Sequence, residues 1–178
     1  KKFLVEEHII TQMYSSLTDR DALQGQAGRT HNEHLSVLAM APNTAQLPHT
    51  RSELEAIPTG FLQPVRRFYG KDATYQEFKR QQHKYNIIHF AGHGIIDSQT
   101  PLLSELEFYN QKVAMIDMFA MTTGADLILL SACATGLIKS FQSNYLEDGL
   151  THGFSKLFLY SGAKNVIATR WVISDEPS

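Results

Sequence analysis

Two short apolar stretches constrain the fold of this chain more than any other part of its sequence. Residues 86–94 read NIIHFAGHG and residues 126–136 read DLILLSACATG, so each is an apolar run that ends in small residues. Continuous apolar runs of this length are typical of strands buried on both faces, as in a parallel sheet covered by helices. The two stretches therefore predict strands in the interior of such a sheet.

Each of these stretches carries one chemically reactive side chain near its end, His93 in the first and Cys133 in the second. Open parallel sheets bind their ligands beyond the carboxyl ends of the strands, and neighbouring strands lie only about 4.8 Å apart. If the two strands are neighbours, the imidazole and the thiol emerge side by side. A thiol nucleophile and its base need this arrangement, so we predict the active site at this edge.

The other segments alternate between strand and helix patterns, which predicts an α/β sandwich with a mostly parallel central sheet flanked by helices. Two Thr-x-x-Glu spacings, at Thr50 and Thr74, predict capping boxes that open helices. Pro58, Gly60 and Pro64 are expected to break regular structure. Strands are expected at residues 3–14, 35–41, 86–91, 102–109, 126–132 and 165–172, and helices at residues 15–23, 50–57, 74–82, 114–121 and 147–161, with a polar loop at 24–33.

The composition limits the classes of function. The chain has 178 residues, 43% of them hydrophobic and 19% charged, which predicts a single folded domain over residues 1–178. The net charge of −2 predicts no direct binding of nucleic acid. No apolar run reaches the roughly 20 residues of a membrane helix, so no membrane association is expected. The single cysteine excludes an internal disulfide and is typical of the cytoplasm. Because the sequence starts at Lys1, we expect an excerpt of a longer protein.

Both reactive residues have structural alternatives. Cys133 could be a buried, inert cysteine, but its place at a strand end, the glycine that follows and the histidine partner favour a nucleophile. His93 lies between two glycines, which would let the backbone turn and leave the imidazole uncovered as a general base. His89 lies within the apolar run and is expected to be a hydrogen-bonded core residue. A zinc site of these three residues is disfavoured, because a strand does not bring i and i+4 histidines together as a helix does and no fourth ligand follows; no metal and no cofactor are expected.

An acyl-transfer site also needs donors for the developing oxyanion. The backbone N–H groups of Gly94 and Cys133 are the candidates, with ordinary turn geometry as the alternative. Among the nearby acids, Asp126 opens its strand and should lie at the opposite end of the sheet, whereas Asp175 follows the last strand on the edge of the site. Asp175 could line a pocket for a basic side chain or be a solvated loop acid. Glu147 and Asp148 fit the first turn of a helix, and the long polar loop 134–145 is expected to be functional.

The order of four segments resembles the CHAT domain of caspase-like and separase-like cysteine peptidases. The segments are IIHFAGHG, PLLSELEF, DLILLSACATG and EDGLTHGFSKLFLYSGAKNVIATRW with the following ISDE. The resemblance is clearest over residues 85–176 and weaker over residues 1–84. Two features depart from the family pattern. The usual Leu-Trp is Arg170–Trp171 here, and the chain ends where the family usually continues into another helix.

This resemblance implies a function. His93 would be the base and Cys133 the nucleophile of a thiol protease that cleaves a protein substrate through a thioester, with amides of Gly94 and Cys133 holding the oxyanion. Asp175 matches an acid that faces the P1 side chain in separase-like relatives, which implies cleavage after Arg or Lys. Related domains are commonly attached to helical repeats or other sensor modules, so a regulatory module or partner outside this chain is expected.

Two other functions use the same features. One is a catalytically silent CHAT-like module that serves as an interaction scaffold, against which the intact His93–Cys133 pair argues. The other is a thiol-dependent acyltransferase or hydrolase of small molecules, which shares the chemistry and differs in its acceptor and pocket.

Overall fold

The computed structural model describes residues 35–59, 62–97, 99–134 and 147–168. All of them belong to one compact unit. The strand, helix and loop predicted for residues 3–33 lie outside the described residues.

The described residues form seven strands and four α-helices, joined in part by short 3₁₀ turns. In chain order they are β1 (Leu35–Ala41), α1 (His49–Glu55), β2 (Leu62–Tyr69), α2 (Tyr75–Gln81), β3 (Ile87–Ile95), β4 (Glu105–Phe108), β5 (Gln111–Ala114), α3 (Met115–Met118), β6 (Leu127–Ala134), α4 (Glu147–Tyr160) and β7 (Val166–Ala168).

The seven strands form one mixed sheet. Strands β2, β1, β3, β6 and β7 pair in that order, and all four of these ladders are parallel. The β4–β5 hairpin is antiparallel and joins β3 at Gly94 and Ile95. β6 pairs with one edge of β3 as far as Gly94. β4 therefore pairs with the opposite edge, beyond the end of the ladder with β1. The prediction of a mostly parallel sheet flanked by helices is confirmed.

Apolar side chains cover both faces of the sheet, which makes the fold a sandwich. On one face, Leu54 of α1 packs against the small residues Val37, Ala39, Ala41 and Ala91. The opposite face carries the larger core, in which α2, α3 and α4 contribute Tyr75, Phe78, Met115, Met118, Phe154, Leu157 and Phe158. Alternate residues of β1 and β3 enter the two cores, as the period of two in a strand requires.

Pro58 lies outside any helix or strand, as predicted, but the prediction for Pro64 is wrong, because this residue lies inside β2. Among the described strands β2 is at the edge of the sheet, paired with β1 alone. The register shifts there, from Leu35 opposite Leu62 to Val37 opposite Val65. A proline has no N–H to donate, and edge strands and bulges are the places in a sheet that tolerate it.

The two predicted capping boxes have different outcomes. Thr74 is the N-cap of α2, and its hydroxyl accepts a hydrogen bond from the Glu77 N–H at 3.2 Å. The box at Thr50 is wrong, because α1 begins at His49 and the Thr50 hydroxyl instead donates to the Leu47 carbonyl at 2.6 Å. Glu53, the other half of that predicted box, points to a different partner, described below.

Two further elements are shorter than predicted, and a third agrees closely with its prediction. β4 is shorter than the strand predicted over residues 102–109, and β5, which the sequence analysis did not predict, follows it across a turn at Asn110. α3 covers only Met115–Met118 of the predicted 114–121. α4 was predicted almost to the residue, and Gly162 follows it at φ +104°, a conformation typical of the glycine that ends a helix.

Candidate active site

The strands that carry His93 and Cys133 are neighbours in the sheet. β3 and β6 pair in parallel over eight positions, from Ile87 opposite Leu127 to Gly94 opposite Ala134, and in this register His93 lies opposite Cys133. Adjacent positions of a parallel ladder are about 4.8 Å apart. Two residues forty positions apart in the sequence therefore occupy one rung at the carboxyl end of the sheet.

His93 lies inside β3 and not in a turn beyond it, which corrects the interpretation of the two flanking glycines. The strand runs to Ile95, and neither Gly92 nor Gly94 has a positive φ. Gly92 is needed instead for close packing, since a Cβ there would lie 2.9 Å from Oδ1 of Asn43 and 3.2 Å from Cε1 of Phe90. The His93 side chain is half-buried.

The backbone N–H of His93 donates a hydrogen bond to Oδ1 of Asn43 at 3.2 Å. The amide nitrogen of the same side chain donates to Oε1 of Glu107 in β4 at 3.0 Å. Asn43 is only 5% exposed, and it stands two residues beyond the end of β1. The sequence analysis overlooked both residues, although an Asn just past a strand that ends at the predicted edge was a usable signal.

Between this Asn43 loop and the β4–β5 hairpin lies a cavity of about 350 Å³. Asn43, Glu107 and Lys112 contribute polar groups to its lining. The cavity therefore adjoins the candidate site through the side chain that holds the His93 backbone.

His89 is the hydrogen-bonded core histidine that its place in the apolar run predicted. It is 9% exposed, and its Nε2 lies 2.7 Å from Oε1 of Glu53 and 3.3 Å from Oγ of Ser131. Burial raises the pKa of the Glu53 carboxyl, but hydrogen bonds with His89 and Ser131 and the charge of His89 outweigh it, so the pKa is lowered overall. This cluster ties α1 to the two strands of the candidate site.

The predicted chain positions of Asp126, Glu147 and Asp148 relative to their strand and helix are confirmed. Asp126 is at the amino end of β6, where its Oδ1 lies 2.8 Å from Nζ of Lys164, so it is remote from His93. Oδ1 of Asp97 accepts hydrogen bonds from the N–H groups of Gln99 and Thr100 and so shapes the loop after β3. Glu147 and Asp148 open α4.

Asp175 and residues 135–145 of the predicted functional loop lie outside the described residues. Gly94 pairs with Leu106 on one edge and with Ala134 on the other. The assignments of Gly94 and Cys133 as oxyanion donors and of Asp175 as a pocket acid therefore stay predictions.

Within the described ranges, no group of three or more His, Cys, Asp or Glu side chains is placed to hold a metal ion. None of the helices in those ranges is long and apolar enough to cross a membrane.

The sequence model of the CHAT domain family matches this chain over residues 1–178. The match covers the strands of the candidate site and the segments before and after them. No curated protein sequence matches the chain.

Proposed function

Since the chain belongs to the CHAT domain family, which is related to the caspase-like cysteine peptidases, we propose that it is a cysteine endopeptidase that cleaves a protein partner. One observation carries this proposal, namely that His93 and Cys133 share a rung of the β3–β6 ladder. Ligands of such sheets bind beyond the carboxyl ends of the strands, so a base and a nucleophile placed there are accessible to substrate.

In the proposed reaction the imidazole of His93 takes the proton of the Cys133 thiol. The sulfur then attacks the carbonyl carbon of the scissile bond, and the imidazolium returns the proton to the leaving amine. Water, deprotonated by the same imidazole, hydrolyses the thioester and regenerates the thiol. The transition states carry negative charge on the carbonyl oxygen, which backbone N–H groups near the rung would stabilise.

The preference for Arg or Lys at P1 and the control by an outside module rest on the family resemblance. A carboxylate such as that of Asp175 would pair with a basic P1 side chain, and a buried pair of this kind is costly to break. We expect Asp175→Ala to weaken cleavage after Arg or Lys, and an unchanged P1 preference would remove Asp175 from the pocket.

The test of the proposed function compares the wild-type chain with Cys133→Ala and His93→Ala. Each protein is incubated with a proteome, and the new amino termini are identified by mass spectrometry. We expect termini that the wild type generates and Cys133→Ala does not, with the rate in His93→Ala lowered about 10²–10⁴-fold. Circular dichroism of the variants checks that the fold is retained.

Covalent labelling separates the remaining functions. An electrophilic peptide probe with Arg at P1 should label Cys133, and a matched probe with Asp at P1 should label it more slowly. Absence of labelling by every peptide probe, with and without the regulatory partner, would overturn the peptidase and leave the interaction scaffold. Labelling by small acyl donors alone would identify the small-molecule enzyme.

A further inference from the structure

The edge of β3 that faces β1 and β4 changes partner next to His93. The ladder with β1 ends at Met40 opposite Phe90, and the ladder with β4 begins at Gly94 opposite Leu106. Residues 91–93 belong to neither of these two ladders. A strand between two partners needs another acceptor for the N–H group that points to this edge.

The Asn43 side chain supplies that acceptor, with its Oδ1 at 3.2 Å from the His93 N–H. Its own backbone is held as well, because its carbonyl accepts hydrogen bonds from the N–H groups of Gln46 and Leu47 at 2.9 and 2.8 Å. The absence of a side chain at Gly92 admits the amide, since a Cβ would lie 2.9 Å from Oδ1. The contact is thus built from two separate parts of the chain, the loop after β1 and the end of β3.

We propose that Asn43 is a positioning residue for His93, and that Glu107 is the anchor that orients the Asn43 amide. The proposal rests on the proposed function, in which His93 is the base for Cys133. Fixing the His93 backbone fixes the Cα from which the imidazole side chain extends. Misplacement of a catalytic group by about 1 Å can cost about 10²-fold in rate.

Glu107 determines which way the amide points. A carboxylate oxygen only accepts, so the atom that faces it at 3.0 Å must be the donor Nδ2. This leaves Oδ1 for the His93 N–H. The chain of donors therefore runs from His93 through Asn43 and ends on a carboxylate, and successive hydrogen bonds of this kind polarise and strengthen one another.

This polarity predicts a rescue. Asn43→Asp retains an acceptor for His93 but places a second carboxylate against Glu107, and the repulsion moves the side chain. Adding Glu107→Gln restores a donor, because Nε2 of the new amide can bond the carboxylate that the first change introduces. The double variant therefore recovers the original geometry with the direction of one hydrogen bond reversed.

The experiment measures the rate of Cys133 alkylation by iodoacetamide as a function of pH in the full chain. The proteins are the wild type, Asn43→Ala, Asn43→Asp and the Asn43→Asp/Glu107→Gln double variant. In the wild type we expect a reactive thiol below the ordinary midpoint of about pH 8.5, because a nearby imidazole stabilises the thiolate. At pH 7 the two single variants should react about 10-fold more slowly, with the midpoint moved toward the ordinary value, and the double variant should return close to the wild type.

Thr74→Ala is the control for stability, since it removes the hydroxyl that caps α2. Its alkylation profile should match that of the wild type. Unchanged profiles in both single variants, with a wild-type midpoint below 8.5, would overturn the positioning role alone. A wild-type profile with the ordinary midpoint would overturn the proposed function and the positioning role with it. Equal defects in Asn43→Asp and in the double variant would overturn Glu107 as the anchor.

Discussion

Gly92 shows at the scale of single residues how a small side chain can serve packing and not a turn. A methyl group there would press on Oδ1 of Asn43 at 2.9 Å and on the Phe90 ring at 3.2 Å. Both neighbours are buried, so neither can move away freely. We therefore expect Gly92→Ala to lower the free energy of unfolding by about 1–3 kcal/mol, as overpacking in a core does.

Chemical denaturation of Gly92→Ala and of Gly124→Ala checks this prediction. Gly124 has no heavy atom within 4 Å of its ideal Cβ position and no positive φ, so it is a matched glycine without the packing. An equal loss in both variants would mean that the effect arises from glycine itself and not from the contact with Asn43.

The Glu53–His89 pair makes a second prediction at this scale, concerning pH. The hydrogen bonds and the charge of His89 lower the pKa of Glu53 in the folded chain, despite burial that raises it. Such a carboxyl stabilises the fold above its unfolded pKa, about 4.3, and this contribution is lost as the pH falls through the lower folded pKa. Stability should therefore fall less steeply below about pH 4.5 in Glu53→Gln than in the wild type.

The measurement is the free energy of unfolding from pH 7 to pH 3 in both proteins. Because the Glu53 side chain is 38% exposed and solvent screens it, we expect the difference between the two curves to stay within about 1 kcal/mol. His89→Ala, which leaves the partly buried Glu53 and Ser131 side chains without this partner, should cost more, about 1–3 kcal/mol, and should remove the Glu53-dependent part of the slope. Parallel curves for wild type and Glu53→Gln would contradict the assignment.

At the scale of elements, the cap of α2 is one feature that the sequence predicted correctly. Thr74→Ala should lower the free energy of unfolding by about 1 kcal/mol, because the Glu77 N–H loses its acceptor. Thr74→Ser keeps the hydroxyl and should stay near the wild type. Urea denaturation of the three proteins measures both changes, and equal losses in Ala and Ser would show that the methyl group, not the cap, is responsible.

The elements that sequence patterns missed are those that depend on a distant neighbour. Thr50 and Glu53 have the capping spacing, but the Glu53 side chain bonds to His89 in β3. No local sequence pattern encodes that pairing. Pro64 signals a break, yet an edge position beside a register shift accepts it within β2. By contrast, β3 and β6 were predictable from continuous apolar runs, which burial on both faces produces, and α4 was predictable from an apolar stripe at helical spacing.

The candidate site, like the fold, was predictable only in part from the sequence. The apolar runs indicated two buried parallel strands, and the ladder between them brings the two reactive residues to one rung. Asn43 and Glu107 could not be found in this way, because their pairing depends on where β1 ends and β4 begins along β3. Side chains that bond to a strand between two ladders follow no regular spacing in the sequence, so a pattern does not predict them.

At the scale of the whole molecule, we expect the two ends of the sheet to have different roles, which an experiment can distinguish. Along β3, Ile87 and His93 are six residue steps apart, about 20 Å at the rise of an extended strand. At its amino end, Asp126 pairs with Lys164 at 2.8 Å and lies 3.4 Å from the Asn86 amide nitrogen. At its carboxyl end, Asn43 and Glu107 hold His93. The amino end is thus a structural tie, and the carboxyl end is where the proposed reaction would take place.

Asp126→Asn tests this division. It removes the charge of a partly exposed pair and should lower the free energy of unfolding by about 1 kcal/mol or less. The alkylation profile of Cys133 should be unchanged, because the substitution lies about 20 Å from the rung and leaves the shape of the side chain intact. Asn43→Ala is the variant for comparison, with its expected loss of reactivity at a similar or larger cost in stability. If Asp126→Asn slowed alkylation as much as Asn43→Ala does, reactivity would follow stability alone. That result would contradict the assignment of the active site to the carboxyl edge.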